Sequence, residues 1–477
     1  MLPRPSRWPG HRIFLMLTIA SLAVVLSGCL ATPGATQAPS AAPATTAAPA
    51  TTAAPATTAA PTEGRTLTAS PAEAVTLTFI TVSTPGAGIA RALEQINANF
   101  TAAHPNVTIE LQPISFTDAL VQTKLALSGP NPPDIMELQL GVEPLSQLIK
   151  AGLLLNLAPY AETYGWADNY PPALYNLDRF TPDGQIRQGD PYMMHVLEDI
   201  VGIYYNRSKL AALGVEAPTT FEEFEAVLEK AKAAGEIPIM LGNLEKWPAV
   251  HVYGICQNRY ASTSYLRDFQ FRQNDVSYDV PENRKALELC KSWADKGYLL
   301  PDFNGVGYDD AWQRFSAGEG VFLPAGTWLT GNLTEKMGTN AGFFAAPPPA
   351  DGSNGLTVTG ERGATYMVSA RTEHPDIVAA YLDSMLSEES AQILIANGAI
   401  PGFKTATPLE VTPGSLLADV HVGIESSNDE DALVGYADFP TASMLDTLGV
   451  GLQELFTDRR TVDEFVAAVE ADYANAQ

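Results

Sequence analysis

The chain has 477 residues and sets 28 basic against 54 acidic side chains, a formal charge of −26. That length points to about two to three domains rather than one. An acidic chain with no concentrated basic patch is repelled by phosphate backbones, so nucleic acid is excluded as a partner. Three cysteines exclude a disulfide scaffold and a multi-cysteine zinc ribbon.

In chain order, Arg4, Arg7, His11 and Arg12 open the sequence, and Ile13 to Leu26 follows as a nearly unbroken apolar run. The run is too short to span a bilayer comfortably but suits the core of a signal peptide. It ends in Leu26-Ser27-Gly28-Cys29, which resembles the bacterial lipobox. The resemblance implies a lipoprotein signal peptide over 1–28, cut before Cys29, whose thiol and amine are then acylated. Cleavage there removes three arginines and takes the balance to 25 − 54 = −29. Residues 29–73 form a tether, almost wholly Ala, Thr and Pro over 31–62, with the unit Ala-Ala-Pro-Ala-Thr-Thr repeated. Nothing in it is large enough to bury, so it cannot offset its ordering entropy. As polyproline II it reaches at most about 100 Å.

From Ala74 the pattern becomes strand and helix. Val75–Val82 alternates as a strand, a small-residue loop follows, and Ile89, Leu93, Ile96 and Phe100 mark one helix face. Val107, Ile109 and Leu111 alternate again, Phe116–Leu127 is a second helix, and Asp134–Leu138 is a short buried strand. This βαβαβ order predicts a mostly parallel sheet with helices on both faces. Ile200–Asn206 is a further strand. Thr220-Phe-Glu-Glu223 is a capping box opening a helix that buries Phe221, Phe224, Leu228 and Ala231. Ile237–Leu241 returns as a strand and Glu282–Lys296 as a helix. Pro375 suits a helix first turn, and Thr461-Val-Asp-Glu464 is a second capping box. The body is an α/β protein.

No catalytic motif stands out. The histidines include no H-x-x-x-H pair, and there is no G-x-S-x-G elbow or phosphate-binding loop. His195 and His251 suit a cleft lining, but a lone histidine more often serves as a packed, hydrogen-bonded residue. Asp309-Asp310 reads as a helix N-cap, and Asn428-Asp-Glu-Asp431 as a solvated loop without the glycine of a calcium loop. Neither a metal nor a cofactor is expected. Cys256 and Cys290 are free to pair outside the cytoplasm, but Cys290 lies on an apolar helix face, and spacing leaves a bridge and a buried thiol both open.

Four stretches resemble the extracellular solute-binding proteins that serve ATP-binding-cassette importers, in the family 1 branch of maltose-type sugar binders. They are Pro133–Leu138 with Leu148–Leu154; Gly202-Ile-Tyr-Tyr-Asn206 with Ala217-Pro-Thr-Thr220 and Phe221, which stands where the family has Trp; Phe315–Trp328, ending in Ala-Gly-Thr-Trp; and Arg460–Phe465. The resemblance implies a two-lobed periplasmic-binding-protein type II fold, its hinge crossed several times and its ligand between the lobes. It gives one lobe 74–196 with 360–398 and the other 197–359 with 399–477, with crossovers in Asp199–Asn206 and Thr357–Gly363. It also implies an anchored, monomeric, non-enzymatic receptor that delivers a mono- or oligosaccharide to a permease. An anchored glycoside hydrolase and a surface adhesin are the alternatives.

Sugar recognition needs flat aromatic faces for the C–H side of the ring and polar groups for its hydroxyls. Ligand sites in such sheets lie beyond the carboxyl ends of strands. The expected contacts are Ser83 and Thr84 after the first strand, Gln139 and Glu143 after the third, and Asp199 at the crossover. Trp247, Trp328, Glu361, Arg362, Tyr436 and Asp438 complete the set. Ser83 and Thr84 also suit helix capping, Glu361 and Arg362 also suit pairing with each other, and both tryptophans also suit core packing.

Overall fold

A computed structural model describes residues 70–83 and 86–475. The signal peptide, Cys29, most of the tether and Thr84 lie outside the described residues. The strands are β1 (Val75–Thr81), β2 (Val107–Pro113), β3 (Ile135–Glu137), β4 (Arg179–Phe180), β5 (Asp190–Pro191), β6 (Met193–Asn206), β7 (Phe322–Gly326), β8 (Ala341–Ala345), β9 (Val358–Val368) and β10 (Leu433–Val434).

The main sheet runs β2-β1-β3-β9-β6-β7, with β8 also paired to β6 and β10 to β9. β1 is parallel to β2 and β3, as the βαβαβ pattern predicts. The rest of the expected parallel sheet is corrected by the structure. β9 runs antiparallel to β3 and β6, and β6 runs antiparallel to β7 and β8. The reason is topological: β6 and β9 are long strands that return across the molecule and do not follow a local crossover helix.

β6 serves two cores in succession. Met194, Val196 and Leu197 pack with Leu77, Phe79, Leu93, Phe100 and Tyr381, whereas Val201, Ile203 and Tyr205 pack with Phe221, Phe224, Trp293 and Phe322. On β9, Tyr366 and Val368 join the first core, while Val358 joins a group with Ile200, Trp312 and Phe315. The changeover thus falls at Leu197–Ile200 on β6 and between Val358 and Tyr366 on β9. A third strand of chain runs beside it, with Leu197 bridged to Pro401 and Gly402 N–H donating to Val196 O at 3.0 Å. These three crossings give the two-lobed fold.

Local signals explain most elements. The Thr220 hydroxyl accepts from Glu223 N–H at 3.2 Å, and Thr461 and Glu464 exchange both bonds of a capping box. Pro375 sits in the first turn of Pro375–Met385. Ile237–Leu241 is not a strand. Pro238 has no N–H to donate, and only Ile239 bridges its neighbours Leu299 and Phe322. Asp309 and Asp310 lie inside the first turn of Tyr308–Ser316, which Gly307 caps, and Asp309 accepts from the Trp312 indole at 2.9 Å. Cys256 and Cys290 form a disulfide between the helices Trp247–Asn258 and Pro281–Asp295, with Cα atoms 6.3 Å apart. Among the described residues no helix is long and apolar enough to cross a membrane.

Candidate ligand-binding site

The site grows from the strand changeover. Asp199 on β6 faces Glu361 on β9 across the ladder, and Glu198 faces Arg362. Gly363 makes this possible: a Cβ there would sit 1.9 Å from Asp199 Oδ2. Asp199 is then fixed by Thr327, whose hydroxyl donates to Oδ1 at 2.7 Å and accepts from Ile200 N–H at 3.1 Å. Three residues of the Ala-Gly-Thr-Trp element therefore have distinct uses. Thr327 holds the carboxylate, and Gly326 leaves room for an indole, since its Cβ would lie 2.0 Å from the Trp328 ring.

Trp328 belongs to an aromatic group. Its Nε1 donates to the Tyr308 hydroxyl at 2.8 Å, and its ring centre lies 6.4 Å from Trp247 and 5.6 Å from His251. Trp247 packs on Tyr308 at 4.4 Å and meets Phe116, which opens the helix Phe116–Ser128 of the other lobe, at 6.3 Å. Trp247 is delivered by Lys246, whose φ of +69° turns the chain into the helix Trp247–Asn258. His251, one turn on, stacks toward Tyr436 at 5.3 Å. Burial pushes the His251 imidazole down to about 3, so it is a neutral ring at ordinary pH.

The polar side is acidic. Glu361 accepts from Gln139 Nε2, which also donates to Arg362 O at 3.0 Å. Arg362 reaches Asp178 Oδ1 at 3.2 Å and Leu177 O at 2.8 Å, with Glu361 Oε2 at 3.8 Å. Asp178 also meets His195 Nδ1 at 2.7 Å, so His195 is the packed, hydrogen-bonded residue its sequence context predicts. Burial raises Glu361 to about 8, Glu198 to about 7, and Asp199 and Asp438 to about 6. Glu198 accepts from Asn428 at 3.0 Å, which draws the end of the expected solvated loop to the changeover. Glu137 is also buried and raised by burial; Thr81 and Ser83 both donate to it.

The structure accordingly brings together Gln139, Asp199, Trp247, Trp328, Glu361, Arg362, Tyr436 and Asp438. Ser83 is tied to Glu137 and does not cap the helix Gly88–Ala103, whose cap is Ala87. Glu143 accepts from Ala442 N–H at 2.7 Å and from Gln147, so it ties the helix Val142–Lys150 to the segment before Met444–Leu455. His251 reads from sequence as a packed residue, and Tyr308, Phe116 and Glu198 carry no site signal there. The spacing Trp247…His251, one helical turn apart, was the available signal for the histidine. No metal-holding cluster of His, Cys, Asp or Glu occurs among the described residues.

Two lobes on shared strands, with rings and carboxylates gathered at the changeover, define a receptor that encloses a small solute. The model of the bacterial extracellular solute-binding protein family matches residues 84–392, and the chain belongs to that family. Membership makes it a solute binder rather than a catalyst. The multiple sugar-binding protein of Streptococcus mutans is 26% identical over 289 residues, which cover 59% of this chain and 64% of that protein's own length. Among solved structures, a chitin oligosaccharide binding protein superposes with a TM-score of 0.73 at 23% identity, covering 84% of this chain and 99% of the other. The raffinose complex of the solute-binding protein RafE gives 0.66 at 19% identity, covering 84% and 98%.

Proposed function

We propose that the protein is a membrane-anchored receptor that captures a carbohydrate between its lobes and delivers it to an ATP-binding-cassette permease. The observation that carries this reading is the aromatic group Trp247–Trp328–His251–Tyr436 set against Gln139, Asp199, Glu361 and Asp438. Ring faces suit the apolar side of a pyranose, and carboxylates and the amide suit its hydroxyls. The sugar-binding names of several relatives support the same class. In this reading one lobe comprises 74–196 with 360–398 and the other 197–359 with 399–477. Acylated Cys29 and the Ala/Thr/Pro tether hold a monomeric body outside the membrane.

Because two tryptophans line the site, their fluorescence reports occupancy. Titration with mono- and oligosaccharides is expected to give a saturable change with at least one of them. A flat response across the panel rejects carbohydrate as the solute.

A further inference from the structure

We propose that the captured saccharide carries a protonated amine, its ammonium group placed against Glu361, Tyr436 and Asp438 beside the rings of His251 and Trp328. This rests on the carbohydrate reading above and narrows it.

The first observation is an excess of acidic groups over basic ones. Glu137, Glu198, Asp199 and Glu361 are buried at the changeover and Asp438 is half-buried beside them. Among the described residues the one cation within ion-pair distance of any of these five is Arg362. Arg362 is already shared, with Nε on Asp178 and Nη1 on Leu177 O, and lies 3.8 Å from Glu361. Lys246, at the edge of the aromatic group, is engaged with Asp446 at 2.7 Å. His251 supplies a neutral ring and no charge.

The second observation is independent of the first. Glu361 Oε2 makes no hydrogen bond although Glu361 is only 1% exposed, and the Tyr436 hydroxyl, in a residue 5% exposed, has only the Gln139 amide beside it. Gln139 lies beside the Tyr436 hydroxyl, yet its amide nitrogen donates to Glu361 and to Arg362 O. A buried oxygen without a donor is costly, by about 1–3 kcal/mol or more when charged. Ionised Glu361 Oε2 only accepts and the Tyr436 hydroxyl accepts as well as donates, so a ligand donor satisfies both, and the surplus of acidic groups favours a cationic one. The neighbouring rings add to this preference, because an ammonium is attracted to aromatic faces, whereas a neutral hydroxyl gains far less there.

The protonation of the site agrees. Burial holds protons on Glu361 and Glu198 up to about pH 8 and 7. An ammonium beside them favours the ionised carboxylates, so binding an amine expels protons and binding a neutral sugar does not.

The test is calorimetry on the intact protein in detergent at pH 7. The ligands are 2-amino-2-deoxyhexoses and their β-1,4-linked dimers, each beside its 2-hydroxy and 2-acetamido counterparts. The amine is expected to bind about ten-fold tighter or more than its neutral partners, with a heat that changes with the ionisation enthalpy of the buffer. Glu361→Gln is expected to collapse that ratio toward one. Neutral partners binding as tightly as the amine overturn the charge assignment and leave the carbohydrate reading standing. Silence toward every saccharide overturns both. The wild-type comparison alone decides the matter should the variant fail to fold.

Discussion

At the scale of single residues, the site depends on side chains that other side chains hold in place. Trp328 is pinned at both faces of its role: Gly326 vacates the space for its ring and Tyr308 accepts its N–H. Trp328→Ala is expected to weaken saccharide binding about ten-fold, near 1.4 kcal/mol, as read by calorimetry; an unchanged affinity rejects its stacking role. Burial raises Glu361, Glu198, Asp199 and Asp438 above their unfolded values, so the folded state binds more protons than the unfolded one. Their contribution to stability is therefore complete below the usual carboxylate range and is lost as pH rises through about 6 to 8. The melting temperature of the unliganded protein is expected to fall between pH 5 and pH 8, and Glu361→Gln to flatten that fall. A melting temperature that rises over this range contradicts the assignment of these four groups. Asp199 was legible at the crossover, Glu361 in the Gly360…Gly363 stretch and Asp438 in the loop before the late helix, whereas Glu198, inside a strand that is buried throughout, carried no signal. His251 reads as a packed residue because its one signal, a turn's spacing from Trp247, serves core packing equally well, and Tyr308 was not legible because its role depends on a ring twenty residues away in sequence.

At the scale of elements, amphipathic helices with polar caps were readable, because each cap and apolar face is written within a few residues. β6 was read only from Ile200 onward. Its first half, from Met193, is buried on both faces of the sheet and shows no alternation. The close contact of three glycines was not readable at all. A Cβ on Gly331, in the helix Thr330–Met337, would meet Asn397 O at 2.4 Å and Gly88 Cα at 3.1 Å, and one on Gly398 would meet Gly331 Cα at 2.6 Å. The helix that Gly88 opens packs on the first core and that of Gly331 on the group with Trp312 and Phe315, and Arg91 and Glu335 pair beside them at 2.9 Å. Gly331→Ala is expected to hold this contact apart, enlarging the radius of gyration by X-ray scattering and lowering solute affinity several-fold. Unaltered scattering and affinity together contradict the contact. Between the helices Trp247–Asn258 and Pro281–Asp295, the disulfide closes a sequence separation of 34. On the chain-entropy account its removal by a Cys256→Ser, Cys290→Ser double substitution costs about 4 kcal/mol, measurable by denaturant unfolding. A loss well below 1 kcal/mol contradicts a bridge that constrains the unfolded chain.

At the scale of the whole molecule, the α/β class and the two-lobed plan followed from the alternation of strands and helices together with the family resemblance. Strand direction did not. A βαβαβ run specifies parallel neighbours locally, but β6 and β9 pair across more than 150 residues of sequence, from Met193 to Met367, and no local pattern records that return. The same two strands carry Glu198, Asp199, Glu361 and Arg362, so the element that joins the lobes also presents the polar half of the site. A solute that bridges both lobes favours the closed arrangement only through contacts it gains there, and in the proposed function these come from the rings of Trp247 and Trp328 and from Gln139. The most direct measurement is titration calorimetry of the intact protein against a panel of neutral and amino mono- and oligosaccharides. Saturable binding of one saccharide per chain is the predicted result. No binding heat from any member, with the protein folded, contradicts carbohydrate capture.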